Sequence, residues 1–273
     1  MPNLAVIGHP VAHSRSPAMQ TAALTELGLA GEWTYGALDV APADFEAEVA
    51  ELAAEGEYAG LNVTVPHKEA ALAMADEASA AASAIGAANT LSFRDGRIEA
   101  ANTDAGGLLR SLPARISGRR ALVLGAGGAA RGAIWALAHG GEGADEQIPP
   151  FEVDVWNRTP ERGETVAAAL GASVVADPVA ADYALIVNTT AVGLRGEDPF
   201  EHLPLGADSF GPDQVVVDMV YGEEPSPLLA AALAAGATTV DGLEMLVQQG
   251  ALSLRIWTGE EPDIEAMRTA VRH

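Results

Sequence analysis

The sequence predicts a two-domain α/β protein, on three observations. Short apolar runs that suit buried parallel strands alternate with longer, Ala-rich helical patterns along most of the chain. The runs fall into two series, the second opening at Arg120-Ala-Leu-Val-Leu124. And 273 residues, 49% of them apolar, suffice for two domains of ordinary size with real cores.

Taken in order, the first series places strands at 4–7, 33–38, 60–65 and 90–93, each a short apolar or β-branched run. Helices are expected between them at 17–27, 43–54 and 68–82, where alanine and long apolar residues recur at helical spacing. The second series gives strands at 120–124, 151–156, 183–188, 214–218 and 238–240. Its helices are expected at 129–139, 161–170 and 227–235, followed by two more at 242–257 and 263–271. The glycine-rich, acidic stretch at 140–150 reads as a surface loop. No internal repeat is present.

Composition narrows the function classes. No apolar run approaches the roughly 18 residues needed to span a bilayer. The start, Met1-Pro2-Asn3-Leu4-Ala5-Val6-Ile7-Gly8, lacks a basic segment and reads as a first strand, not a signal peptide. With no cysteine there is no disulfide, thiolate nucleophile or cysteine-held zinc, and the histidines show no ligand-like spacing, so no metal is expected. A cytoplasmic protein is expected. The net charge of -23 repels nucleic acid and anionic membranes, so neither is an expected partner. Acidic residues are spread along the whole chain, which reads as surface adaptation to high salt. Lys68 is the only lysine beside 14 arginines. It is either a chance surface survivor or sits where a guanidinium cannot substitute, since an ammonium gives up a proton far more readily.

Gly125-Ala126-Gly127-Gly128-Ala129-Ala130-Arg131 follows a strand and opens a helix, fitting Gly-x-Gly-x-x-Ala. Gly125 permits the turn, Gly127 lets backbone approach a pyrophosphate, and Ala130 allows close helix–strand packing. The helix N-terminus then offers unpaired N–H groups to the phosphates. A tight turn without a ligand is the other reading. At the next strand end, where an NAD enzyme usually has an acidic residue, stand Asn157-Arg158-Thr159, with Arg162 a turn later. Two arginines in five residues of so acidic a chain suit a 2′-phosphate better than a strand cap, so NADP is preferred to NAD. The second series is therefore expected to be a doubly wound, Rossmann-type domain.

Four further motifs lie outside that region. Ser14-Arg15-Ser16-Pro17 offers hydroxyls and backbone donors near a helix start, suited to a carboxylate, or a plain N-cap with Pro17 at the first helical position. Asn62-Val63-Thr64-Val65-Pro66-His67-Lys68 ends a strand and leads into a helix with the lone lysine. Gly86-Ala87-Ala88-Asn89-Thr90 is a turn-to-strand with a polar pair, and Asn102-Thr103-Asp104 precedes Gly106-Gly107 and could be an N-cap.

Together, in this order, these motifs resemble the shikimate dehydrogenase family, with Asn188-Thr189-Thr190-x-x-Gly193, Asp218-Met219-Val220-Tyr221 and Gly242-Leu243-Glu244-Met245-Leu246-Val247-Gln248-Gln249-Gly250 completing the pattern. The resemblance spans residues 4 to about 258. It implies reversible NADPH-dependent reduction of 3-dehydroshikimate to shikimate, in aromatic amino-acid biosynthesis. It also implies that Ser14 and Ser16 hold the substrate carboxylate, that Asn62, Thr64, Asn89 and Gln249 bind ring hydroxyls, and that Tyr221 lies nearby. Lys68 and Asp104 are the implied catalytic pair, with Lys68 as acid/base at the C3 oxygen. Gly125, Gly127, Gly128 and Ala129 are implied to cradle the pyrophosphate, and Asn157, Arg158, Thr159 and Arg162 the 2′-phosphate. Thr190, Met219, Gly242 and Met245 complete the cofactor side. Residues 1–106 are expected to form the substrate domain and 107–239 the NADP domain, with 240–273 returning to the first so that Gln249 reaches the substrate. A monomer or homodimer, with the site in an interdomain cleft, is expected. The alternatives are a quinate/shikimate dehydrogenase of broader specificity and a non-catalytic NADP-sensing module.

Overall fold

The structure, a computed structural model, describes residues 2–140, 148–222 and 224–272. It divides into two compact units, residues 1–107 with 246–273, and 108–245. The units divide at 107/108 and 245/246, the latter after the first turn of a helix, where divisions at 106/107 and 239/240 were expected.

Unit 1 is built on β1 (Asn3–Gly8), β2 (Thr34–Asp39), β3 (Tyr58–Val63), β4 (Glu77–Ala78), β5 (Thr90–Arg94) and β6 (Arg97–Ala101). Its helices are α1 (Ser16–Glu26), α2 (Phe45–Glu55), α3 (Lys68–Ala73), α4 (Ala80–Ile85) and α5 (Asp104–Ser111), the last of which runs past the boundary. The sheet runs β2-β1-β3-β5-β6-β4. Parallel pairing on β1 gives way to antiparallel pairing at β3/β5 and β5/β6. Phe45, Val49 and Leu52 of α2 close one face over Ile7, Leu61, Val63 and Leu91. Dry packing of this kind contributes roughly 1.5–3 kcal/mol per fully buried large side chain.

Unit 2 comprises β7 (Arg120–Leu124), α6 (Gly128–His139), β8 (Glu152–Trp156), α7 (Pro160–Leu170), β9 (Ser173–Val174), β10 (Leu185–Asn188), β11 (Val215–Asp218), α8 (Pro227–Ala234) and β12 (Thr238–Asp241). All five pairings are parallel, in the order β12-β11-β10-β7-β8-β9. The chain winds outward in both directions from the β7/β10 pair, which is the doubly wound order and puts a crevice at the carboxyl ends of those strands. β10 and β11 are buried at every position, as parallel strands covered on both faces must be. Helices α9 (Gly242–Thr258) and α10 (Ile264–Arg272) follow, and from Leu246 onward they pack in unit 1. There the Arg15 guanidinium donates to the Val271 carbonyl. No described helix is long and apolar enough to cross a membrane.

Three expectations need correction. The helix expected over 68–82 breaks into α3, β4 and α4. The Asp76 N–H donates to the Ile98 carbonyl while the Asp76 carboxylate accepts the Ile98 N–H, so this backbone pairs beside β6. The Ser79 hydroxyl then caps α4 by accepting the Ala82 N–H. β6 itself is absent from the expected strands because only alternate residues, Ile98 and Ala100, face inward. Asp95 and Gly96, at φ 52° and 73°, make the tight hairpin leading into it. Helix α5 is the third, unlisted among the expected helices because its Gly106-Gly107 pair argues against one. Most of the loop expected at 140–150 lies outside the described residues.

Candidate active site

Lys68 is the first residue of α3, and His67 fixes where that helix starts. The His67 ring stacks on Phe45 at 4.3 Å and donates from Nε2 to the Val40 carbonyl at 2.8 Å. Burial lowers the His67 pKa, and the carbonyl partner sets the proton on Nε2. The lysine ammonium reaches Asp104 Oδ2 at 2.6 Å, with side-chain exposures of 12% and 5%. Asp104 opens α5, where Asn102 Oδ1 accepts the N–H groups of Asp104 and Ala105. The N-cap reading of Asn102 therefore holds alongside any functional one.

The other Asp104 oxygen accepts from Asn89 Nδ2 at 2.9 Å, and the same amide reaches Gln249 Oε1 at 3.1 Å. The Asn89 amide is oriented by the Thr103 N–H, which can only donate and meets Oδ1 at 2.7 Å. Asn89 and Asp104 are almost wholly buried, so these pairings operate in a low-dielectric setting. Among the described residues Asp104 is the ammonium's only hydrogen-bond partner, which leaves two N–H donors for an external oxygen.

Gln249 comes from α9, which lies tight against this layer because glycines face it. A Cβ on Gly107 would stand 2.6 Å from Gln249 Cβ and 2.8 Å from its backbone nitrogen. Gln20 Nε2 donates to the Gly250 carbonyl at 2.9 Å, and Trp257 Nε1 donates to the Leu91 carbonyl at 3.0 Å. Gln249 Nε2 is turned back to the Leu246 carbonyl, so Oε1 faces Asn89.

The remaining candidates of unit 1 separate into two kinds. Ser14 and Thr64 are half-buried, and Ser14 Oγ accepts the Ser16 N–H at 3.3 Å. Ser16 does not cap α1: Arg15 holds the cap position and Ser16 lies within the first turn, its hydroxyl on the Tyr35 phenol. Burial pushes that phenol's pKa up, so Tyr35 stays a neutral donor, to Asn62 Oδ1 at 2.7 Å. Asn62 is buried: Nδ2 donates to Ser253 Oγ at 2.8 Å and to the Asn89 carbonyl at 3.3 Å, with Thr90 Oγ1 at 3.4 Å. It stands among the supports of the site. Tyr35, Thr90, Thr103 and Ser253 are members of this polar network that motif reading gave no role. Spacing flags only Ser253, one helical turn beyond Gln249. Tyr221, also expected near the substrate, belongs to unit 2, just after β11.

In unit 2 the glycine turn sits at the carboxyl end of β7. Gly125 has φ +116°, and a Cβ there would lie 2.5 Å from Thr189 Oγ1. A Cβ on Gly127 would meet nothing within 4 Å, and Gly127 precedes α6 without any side-chain cap on the N–H groups of its first turn. Ala130 is fully buried against the sheet. Open backbone, uncapped donors and a small packing residue fit a pyrophosphate. At the end of β8, Asn157 Nδ2 donates to the Thr159 carbonyl at 2.8 Å, shaping the turn that exposes Arg158 and, from α7, Arg162. Among the described residues neither guanidinium has a hydrogen-bond or ion-pair partner, although carboxylates are abundant. Thr190 closes a turn on Asn188 Oδ1. Gly242 admits no side chain, since a Cβ would stand 2.5 Å from the Met219 carbonyl oxygen; Met245 is buried on the next turn. Among the described residues no group of three or more His, Cys, Asp or Glu could hold a metal ion.

Comparison with known proteins agrees with this arrangement. Residues 6–91 match the family of the shikimate dehydrogenase substrate binding domain, and residues 242–272 that of the shikimate 5′-dehydrogenase C-terminal domain. The chain is 43% identical to the shikimate dehydrogenase (NADP(+)) of Methanopyrus kandleri, over 97% of this chain and 93% of that one. Identity to the Azorhizobium caulinodans protein of the same name is 42%, over 97% and 94%. The structure of this chain superposes on shikimate 5-dehydrogenase from Thermus thermophilus, solved with NADP(H) and shikimate, with TM-score 0.86, 41% identity and coverage of 100% of this chain and 99% of that one. Likeness at this level, along the full chain and through both units, means that the protein belongs to the shikimate dehydrogenase family.

Proposed function

We propose that the protein interconverts 3-dehydroshikimate and shikimate, using NADP(H). The observation that carries this reading is the buried Lys68–Asp104 pair, tied through Asn89 to Gln249, in a chain 41% identical to an enzyme solved with both ligands.

Reduction of the C3 ketone needs a hydride at carbon and a proton at oxygen. NADPH, when bound, supplies the hydride; Gly125, Gly127, Gly128 and Ala129 would hold its pyrophosphate and Asn157, Arg158, Thr159 and Arg162 its 2′-phosphate. Thr190, Met219, Gly242 and Met245 are assigned to the nicotinamide side. Lys68 directs its free N–H groups at the C3 oxygen, stabilises the charge that develops there and delivers the proton, becoming a neutral amine that solvent reprotonates. Asp104 orients the ammonium and accepts from the C3 hydroxyl of the alcohol. Ser14 and Ser16 hold the carboxylate, and Thr64, Asn89, Gln249 and Tyr221 the ring hydroxyls, with Asn62 behind them. In the reverse direction each group takes the opposite part.

A cytoplasmic, salt-adapted enzyme, monomeric or homodimeric, in aromatic amino-acid biosynthesis accompanies this reading. The cysteine-free, strongly acidic sequence supports it. The test is spectrophotometric NADP+ reduction with shikimate, run beside quinate and beside NAD+. Turnover confined to shikimate and NADP+ is expected; preference for quinate would transfer the chain to the broader quinate/shikimate class, and no turnover at all would overturn the enzyme reading.

A further inference from the structure

A serine in mid-helix competes with its own backbone and is seldom left wholly buried without polar partners. Ser253 of α9 is fully buried. Its Oγ donates to the Gln249 carbonyl at 3.1 Å, one turn back. Around the same oxygen stand Asn62 Nδ2 at 2.8 Å, Thr90 Oγ1 at 2.9 Å and Thr103 Oγ1 at 3.0 Å. They come from β3, β5 and the start of α5.

The donors and acceptors here admit one arrangement of the amides. The Asn89 carbonyl can only accept, so it fixes Asn62 Nδ2 toward itself and Ser253. The Thr103 N–H can only donate, so it fixes Asn89 Oδ1, and Asn89 Nδ2 must face Asp104 and Gln249. Each threonine hydroxyl has one hydrogen; both reach Asn89 Oδ1, at 3.1 Å, and Ser253 Oγ, and they lie 3.4 Å from each other. Asn89 Oδ1 already takes the Thr103 N–H and has one good place left. Ser253 Oγ, at 2.9 and 3.0 Å, is a shorter partner for the other threonine hydrogen than the second threonine at 3.4 Å, and takes it beside that of Asn62. With its own hydrogen on Gln249, the Ser253 hydroxyl is saturated: one bond donated, two accepted.

We propose that Ser253 is a specificity-determining positioning residue, which holds Asn89 and Gln249, with Asn62 behind them, in the arrangement that reads the substrate's ring hydroxyls. It touches no substrate and acts through those side chains. This rests on the assignment of shikimate to unit 1. Removing the hydroxyl takes away the shortest acceptor of Asn62 Nδ2 and of one threonine O–H, leaving Asn62 only the Asn89 carbonyl at 3.3 Å and Thr90 Oγ1 at 3.4 Å and the threonines each other at 3.4 Å.

The experiment measures kcat/KM of Ser253→Ala for shikimate and for analogues lacking the C4 or the C5 hydroxyl, at saturating NADP+. Shikimate should lose about tenfold and at least one analogue less than about twofold, because a loosened hub forfeits contacts that the analogue never made. The preference for shikimate over that analogue then collapses, while the KM for NADP+ stays put. Ser253→Cys keeps the volume but offers only a weak sulfur acceptor, and serves in the same assay if the alanine variant does not fold; it should show the same collapse. Leu254→Val, a neighbouring buried change on α9 away from the hub, should lower Tm with the preference intact. A folded Ser253 variant with wild-type preference, or equal collapse in Leu254→Val, overturns the proposal. Wild-type protein inactive on shikimate would instead overturn the functional assignment, and this proposal with it.

Discussion

The Lys68 ammonium and the Asp104 carboxylate meet at 2.6 Å, each delivered by the first residue of its own helix. The start of α3 is fixed by the His67 ring and that of α5 by the Asn102 cap, so the geometry belongs to the backbone as much as to the pair. Lys68→Ala should lower kcat by roughly 10²–10⁴-fold, with the KM for shikimate moving much less, since Ser14, Ser16, Asn89 and Gln249 remain. Lys68→Arg discriminates further. Arginine keeps the charge but does not release a proton near neutral pH. Steady-state kinetics should find it nearly as impaired as alanine; near-wild-type kcat would leave Asp104 as the better acid/base.

Gly107 offers a second probe, aimed at Gln249. A methyl group there meets the backbone nitrogen of Gln249 at 2.8 Å, and backbone cannot swing aside as a long side chain can. Gly107→Ala should destabilise the protein by about 1–3 kcal/mol through overpacking. It should also raise the KM for shikimate as Gln249 is pushed off Asn89. Denaturant titration and kinetics together check this, and an unchanged KM in a destabilised variant would separate Gln249 from substrate binding.

Arg158→Ala addresses cofactor choice. Exposed guanidinia without protein partners cost the fold nothing to remove, so the loss should appear in binding alone. The Kd for NADP+ should rise about ten- to hundredfold, the worth of a charge-assisted hydrogen bond, with NAD+ affinity nearly unchanged. Calorimetric titration with both nucleotides decides it: equal losses would make Arg158 a support of the turn.

Much of this was legible in the sequence because the relevant signals are local. The glycine turn, the arginines after β8 and the lone lysine each stand where short motifs put them, and continuous apolar runs mark β7, β10 and β11 of unit 2. What escaped depends on pairing between distant segments. Asp76 ends a helix only because Ile98, far along the chain, presents its backbone to it. Asn62 reads as a binding residue, and its ties to Tyr35, Ser253 and the Asn89 carbonyl are seen only in the fold. Ser253 stands one turn beyond Gln249 on α9, a spacing that does not by itself distinguish a hub from a tolerated serine.

His67 gives a pH prediction whose sign follows from its environment. Burial, with the positive field of His9 added, holds its pKa below that of a free imidazole. The unfolded chain therefore binds this proton first as pH falls. The stability that neutral His67 contributes is present above the unfolded pKa of about 6.5 and is lost as pH drops from there through the lower folded value. His67→Gln can keep a donor to the Val40 carbonyl but cannot take up a proton. Wild type should thus lose more stability than this variant between pH 7.5 and 5.5, measured by urea titration at each pH. Parallel curves would show that the ring titrates alike in the folded and unfolded chain.

The last prediction concerns salt, where two electrostatic effects oppose each other. Exposed ion pairs such as Arg255–Glu261, at 2.8 Å, weaken as salt screens them. Such pairs contribute only about 0–1 kcal/mol each, and 15 basic residues limit how many can form. Against them stands the mutual repulsion of a chain with 38 acidic residues and a net charge of -23, which the same screening relieves. Repulsion should win. The Tm should climb from low salt into the molar range of KCl, a salt chosen over sulfate so that surface exclusion contributes little. Activity with shikimate should climb with it. Melting curves across that series are the check, and a midpoint that fell steadily would mean that the ion pairs outweigh the excess charge and that the acidic surface is no adaptation to salt.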